Sequence, residues 1–462
     1  MQQILIMSVE KLKELESTPV GRLLWKYSVP AVVGTLVMST YNIIDRVFIG
    51  QGVGAEAIAG LAVTFPVMNI SAALGTLIGV GAASRISIAL GEKNHRLAEQ
   101  ILGNSLVLTV IIGILYISAI GLFLKDILLA FGANELTLPY AYDYMSVLLP
   151  GLPIINICYS FNNMMRTSGY PQKAMITMIL GAVLNVTLDP IFIFYLDLGI
   201  KGASIATVIS MTISAAFVMT HFINPNSILH FKRGTFAIDK AIFISIIGIG
   251  AAPFLVNVSG SAINAIVNQT LLRHGGYFAV GAVGIFSTYV QLIIMIIIGI
   301  CQGVQPIIGY NFGAGHFDRL KHAFWLGVIV ATAICFVGFV VGELFPEYIA
   351  RAFTTDEQLI AVTINGLRLS LLAFSIVGFP IVATALFQSI GKAGESIFLG
   401  LARQVLFIIP LLLILPRFWQ LDGAWLSYPL ADVCANACTA YLVIRQFKKF
   451  KAVEKNSPFF LN

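Results

Sequence analysis

The chain is predicted to be an all-α integral membrane protein, with twelve transmembrane helices in two pseudo-symmetric six-helix lobes around a central cavity. Composition, apolar segmentation and an internal repeat each predict this. Of 462 residues, 58% are hydrophobic and 11% charged, with a mean hydropathy of +0.89. A soluble domain carries about 25% charged residues. Twelve apolar stretches follow one another: 22–48, 57–84, 100–124, 139–165, 171–195, 202–223, 241–270, 278–308, 322–345, 358–388, 396–416 and 423–444. Each reaches the roughly 20 residues that span a bilayer. Motifs also recur about 222 residues apart. Ala57-Ile58-Ala59-Gly60 is echoed by Ala279-Val280-Gly281-Ala282, and Gly91 with Arg96-Leu97 by Gly313 with Arg319-Leu320. Gly151-x-Pro153 is echoed by Gly378-x-Pro380, and Gly202-Ala203 by Gly423-Ala424. Repeats of this length in an apolar chain are the mark of a two-lobed transporter.

Residues 1–19 are charged and lack a small-residue cleavage site, so the first span is expected to act as its own insertion signal. The longest polar connection, 224–240, divides an N-terminal lobe (1–223) from a C-terminal lobe (241–446), and 447–462 form a basic tail. With the N-terminus in the cytoplasm, 20 of the 28 Lys and Arg residues fall on that side and 6 on the other, while Arg368 and Arg403 lie within spans. This bias places both termini in the cytoplasm and the chain in the inner membrane. The net charge of +6 then reflects topology and anionic lipid, not nucleic acid. Proline interrupts many spans, including Pro30, Pro190 and Pro410, where helices can bend.

Three aspartates lie inside spans: Asp45, Asp189 and Asp432. A carboxylate in the bilayer costs about 3 kcal/mol or more, so its default reading is functional. Tyr41 precedes Asp45 by one helical turn, and Asn185 precedes Asp189 by one turn, so each pair shares a face. Oxygen donors of this kind suit Na+, and a desolvated carboxylate equally suits H+. The repeat sharpens the point, because Asp45 aligns near Asn268 and Asp189 near Ile409. Structural alternatives are an Asp45–Arg46 pair, bracing of the Pro190 break by Asp189, and neutralisation of Arg403 or Arg368 by Asp432. Asn162, Asn163, Asn268, Gln291, Arg368 and Asp432 are candidate substrate-cavity residues. No Walker A or H-E-x-x-H motif is present, and the five cysteines lack metal-ligand spacing, so neither an enzyme nor a cofactor is expected.

Taken together, these residues resemble the multidrug and toxic compound extrusion (MATE) family. The resemblance rests on Pro30, Tyr41-x-x-x-Asp45-x-x-x-Ile49-Gly50, Gly91 with Arg96, Arg166-x-x-Gly169 and Asn185-x-x-x-Asp189-Pro190. Gly202-Ala203-x-x-Ala206-Thr207, Gly313 and Gly423-Ala424 complete it, and it covers residues 20–445. Within the family it is similar to bacterial branches with a cation site in the N-terminal lobe. That resemblance implies a site of Asp45, Asn185, Asp189 and Thr207, with Tyr41 as a cavity tyrosine. It also implies secondary active export of small organic, often cationic, compounds against H+ or Na+ by alternating access, and a monomer is the expected state. Spans seven and ten carry no carboxylate, unlike a branch with acidic residues in the second lobe. The competing functions are a lipid-linked saccharide flippase, which needs a basic cavity, and an intramembrane enzyme, which needs a nucleophile–base pair or a metal cluster.

Overall fold

The computed structural model describes residues 14–456, so the start of the charged N-terminal segment and the end of the basic tail lie outside the described residues. Helices account for nearly all of it, because a backbone in lipid must satisfy its own hydrogen bonds. The first half holds α1 (Val20–Gly52), α2 (Ala55–Gly91), α3 (His95–Leu122), a short α4 (Leu124–Ala130) and α5 (Leu138–Thr167). It continues with α6 (Pro171–Pro190), which runs into a π-helical turn at Ile191–Tyr195, and α7 (Gly199–Ile223). The second half holds α8 (Lys240–Gly313), α9 (Phe317–Leu344), α10 (Pro346–Arg351), α11 (Glu357–Leu371) and α12 (Gly378–Ser389). It ends with α13 (Ala393–Leu401), a π-helical stretch at Ala402–Ile408, α14 (Ile409–Ile414) and α15 (Pro416–Asn456).

Nine helices among the described residues are long and apolar enough to cross a membrane, or ten when α11 and α12, bent by 48°, count as one span. The remaining two expected spans are contained in α8 and α15. At 74 residues α8 would be about 110 Å long at 1.5 Å per residue, far beyond a bilayer. It breaks at Gly276, with φ 66° and ψ −161°, a conformation that favours glycine. The repeat places Gly276 on Gly54, the positive-φ glycine between α1 and α2. In the same way α15 breaks at Gln420 (φ 48°), the counterpart of Gly199 (φ 54°) before α7. All twelve apolar stretches therefore lie in helices. Exposed side chains such as Ile114, Leu115, Ile329 and Val337 give these helices an apolar outer face.

The repeat extends to single bonds. Tyr116 of α3 donates to the Val67 carbonyl of α2 (2.6 Å), and Tyr289 of α8 donates to the Gly338 carbonyl of α9 (2.5 Å). These are the same two positions shifted by 222, with tyrosine and carbonyl exchanged. One echo falls at unequal places: Pro153 precedes the turn glycine Gly169 by 16 residues, whereas Pro380 precedes Gly391 by 11. The two intervals differ by five residues, so Gly378-x-Pro380 is out of register with Gly151-x-Pro153, whose counterparts at an offset of 222 are Ala373-x-Ser375, at the break between α11 and α12.

The two halves cross closely at the end of the molecule that carries Lys93, Arg96, Arg319 and Lys321, the end the sequence assigns to the cytoplasm. A Cβ on Gly91 would stand 2.1 Å from the Tyr310 carbonyl, and one on Gly313 would stand 2.1 Å from the Ile88 carbonyl. These reciprocal contacts of repeat-related glycines mark the pseudo-two-fold axis, and only a bare backbone fits there. Gly81 against Ile246, Gly250 against Leu77 and Gly303 against Ser28 continue the crossing. Gln305 Nε2 donates across it to Ser84 Oγ (2.9 Å). Arg319 reaches the carbonyls of Leu15 and Thr18, tying the segment before α1 to the second half. The 224–240 connection folds onto α3, where the Asn104 amide bonds Thr235, Ala237 and Asp239 and Glu99 pairs with Lys232.

Candidate functional site

Span one contributes Tyr41 and Asp45, and α6 contributes Asn185 and Asp189, each pair on one helical face as its spacing requires. Thr207 comes from α7. All five are buried, with Asp189 at 0% and Asp45 at 8% exposure. Asn185 Nδ2 donates to Asp189 Oδ1 (3.3 Å) and Thr207 Oγ1 (3.2 Å), so one amide joins α6 to α7. The carboxyls of Asp45 and Asp189 lie within hydrogen-bonding reach of each other, which joins α1 to the same group. Arg46 does not form an ion pair with Asp45; its guanidinium sits over the Phe65 ring, 4.7 Å from the centroid.

Three oxygens of this cluster, Asp45 Oδ1, Asn185 Oδ1 and Asp189 Oδ2, are buried without a hydrogen-bond partner. Buried polar atoms are otherwise nearly always satisfied, and two adjacent carboxylates repel unless a proton or cation lies between them. The donor set of carboxylate, amide and hydroxyl oxygens fits a hard monovalent cation, and the carboxyl pair fits a shared proton. Two further residues belong to the group: Tyr144 of α5 lies close to Thr207, and Tyr159 of α5 close to Tyr41. Sequence reasoning missed both, because a tyrosine in an apolar span reads as packing. Only their spacing along α5 relates them.

The expected substrate-cavity residues divide. Asn268 and Gln291 are exposed, and Asn268 lines a cavity of about 500 Å³ with Gln269, Leu272, Tyr277 and Val280. Arg368 is exposed and within electrostatic reach of Glu343. Asn162 and Asp432 are instead buried and committed to partners, as desolvation of an amide and a carboxyl demands. Asn162 Oδ1 accepts from Arg166 (3.0 Å) and its Nδ2 donates to the Ala174 carbonyl (2.7 Å). Asn163 Oδ1 also accepts from Arg166 (3.3 Å). Asp432, itself buried, forms an ion pair with the partly buried Arg403, one of the two alternatives open at the sequence level. No cluster of His, Cys, Asp and Glu able to hold a metal occurs among the described residues.

Known proteins match this chain in sequence and in fold. The MatE family profile matches residues 30–191 and again 249–414, once per half, in register with the repeat. The chain is 29% identical to the multidrug export protein MepA of Staphylococcus haemolyticus, over 98% of this chain and 99% of the relative. It is 28% identical to MepA of Staphylococcus aureus strain MSSA476, over 93% and 95%. A solved outward-facing structure of a multidrug resistance MATE family transporter of the MOP superfamily superimposes with a TM-score of 0.89. That match is at 25% identity and covers 95% of this chain and 98% of the other. With one family profile fitting each half around the buried carboxyl cluster, the chain belongs to the MatE family of multi-pass membrane transporters.

Proposed function

We propose that the protein is a secondary active multidrug exporter that moves organic, often cationic, compounds out of the cell against inward H+ or Na+. The observation that carries the coupling is the Asp45–Asp189 pair, two buried carboxyls from different helices with no basic partner between them. The names of the MepA relatives support organic compounds as substrates. A cation or proton at Asp45, Asn185, Asp189 and Thr207 lowers the cost of keeping these groups dry and so favours one packing of α1, α6 and α7. Drug and cation must favour different states, or compete for one, for either to move the other. Pro30 and Pro190, each lacking a backbone donor, are placed where these helices can bend.

The single chain carries both lobes, which supports a monomer as the working unit, with both termini in the cytoplasm and the inner membrane as its location. A flippase for lipid-linked saccharides is the weaker reading, since Arg403 is already neutralised by Asp432. The test is efflux of a dye and drug panel from proteoliposomes under an imposed proton or sodium gradient. Efflux driven by one gradient supports the reading and names the ion; equal efflux without any gradient contradicts it.

A further inference from the structure

We propose that Arg166 is a charge barrier: an arginine left without a counter-ion where the two lobes meet, which keeps the coupling cation from leaking through the closed end of the transporter. The inference rests on the coupling reading above. Arg166 lies at the end of α5 and is 3% exposed. Its guanidinium donates to the amide oxygens of Asn162, Asn163 and, across the lobe boundary, Gln302 (2.6 Å), while its Nε has no partner. No carboxylate of a described residue is within ion-pairing distance of it. Three neutral amides hold the group without cancelling its charge, and a guanidinium remains protonated in proteins.

The surroundings make this the seal itself. Gln302 neighbours Gly303, which crosses Ser28 of α1, and Asn163 packs against Gly79 of α2. The position also lies in line with the carboxyl cluster. Tyr159 touches Tyr41, Asn163 Nδ2 donates to the Tyr159 carbonyl (3.1 Å), and Arg166 follows one turn later. Seven residues of helix, about 10 Å, separate Tyr159 from Arg166. A cation leaving the cluster towards the basic end therefore meets an uncancelled positive charge in a dry, closely packed crossing. If bonding alone were needed, a neutral side chain would serve at lower cost, because a buried unpaired charge is strongly disfavoured. Arg403, partly buried in the other lobe, has a carboxylate; Arg166 does not. Fixed positive groups exclude protons and cations from other membrane pathways in this way.

The test is dissipation of an imposed proton or sodium gradient by the full-length protein in proteoliposomes without drug. Arg166→Gln should leak at least about tenfold faster than wild type, since a unit charge in a partly dry seal repels a cation by more than the free energy of one decade in rate. Gln302→Glu should leak comparably, although it strengthens the bond across the lobes, because it supplies the missing counter-charge. Arg166→Lys keeps the charge and should stay within about twofold of wild type. A Gln302→Glu seal as tight as wild type, or an Arg166→Lys protein as leaky as Arg166→Gln, overturns the proposal in favour of a simple latch. Gln302→Glu retains the arginine, so the test stands even if Arg166→Gln does not fold. The leak assay needs no drug, so gradient-independent efflux by wild type would sink the coupling reading and leave this comparison readable.

Discussion

In the first lobe Asp45 and Asp189 face each other without a basic partner, whereas in the second lobe Asp432 is held by Arg403. The repeat makes the two arrangements comparable residue by residue. Asp432 falls on Met211 of the first lobe and Arg403 beside Ala182, and those two pack in one apolar cluster with Tyr41. Thr207 in turn falls on Tyr428, and Asn185 on Leu406. One scaffold thus carries a compensated charge pair in one half and an uncompensated one in the other. A buried ion pair is weak evidence of function, because each charge answers the other. Unanswered carboxyls need something from outside the protein, and here that points to the coupling cation.

Four experiments would break or sharpen this contrast. The largest effect is expected from Asp45→Asn and Asp189→Asn, each of which should reduce gradient-driven efflux to the level of protein-free liposomes at matched folding and membrane levels. Near-normal transport in both would remove the basis of the one-lobe site. Asp432→Asn should instead act on stability, by about 1–3 kcal/mol, since it takes the carboxylate partner from the partly buried Arg403. Its apparent melting temperature should fall, and replacing both partners by apolar residues should restore it with coupling kept. Loss of coupling in that double variant would give the second lobe a share of the ion chemistry. Asn185→Ala removes both hydrogen bonds of the cluster and Thr207→Val one of them, and cation affinity should drop about tenfold or more, the equivalent of roughly 1–1.5 kcal/mol per bond. The smallest effect belongs to Asn268→Ala and Gln291→Ala, which should shift relative efflux of different drugs by a few-fold without altering the ion dependence.

Much of this was legible in the sequence because bilayer thickness and backbone satisfaction constrain spans so strongly. Asn185 with Asp189 and Tyr41 with Asp45 were readable because residues four apart share a helix face. That spacing does not reveal which faces of different helices meet. Tyr144 and Tyr159 therefore stayed hidden among 15 tyrosines, and Arg166 counted as one more cytoplasmic charge. Asn162 looked available for substrate until the buried Arg166 beside it was apparent. The Gly151 and Gly378 echo misled because so short a Gly-x-Pro match can fall five residues out of register with the repeat around it.

The most direct test of the central claim, that the coupling cation is held by the first lobe alone, is proton release or Na+ binding by the detergent-solubilised protein as drug is added. The account predicts that drug releases protons or weakens Na+ binding in wild type, in Asn268→Ala and in Gln291→Ala, and that Asp189→Asn abolishes the response. A response erased by Asn268→Ala or Gln291→Ala and left intact by Asp189→Asn would contradict it.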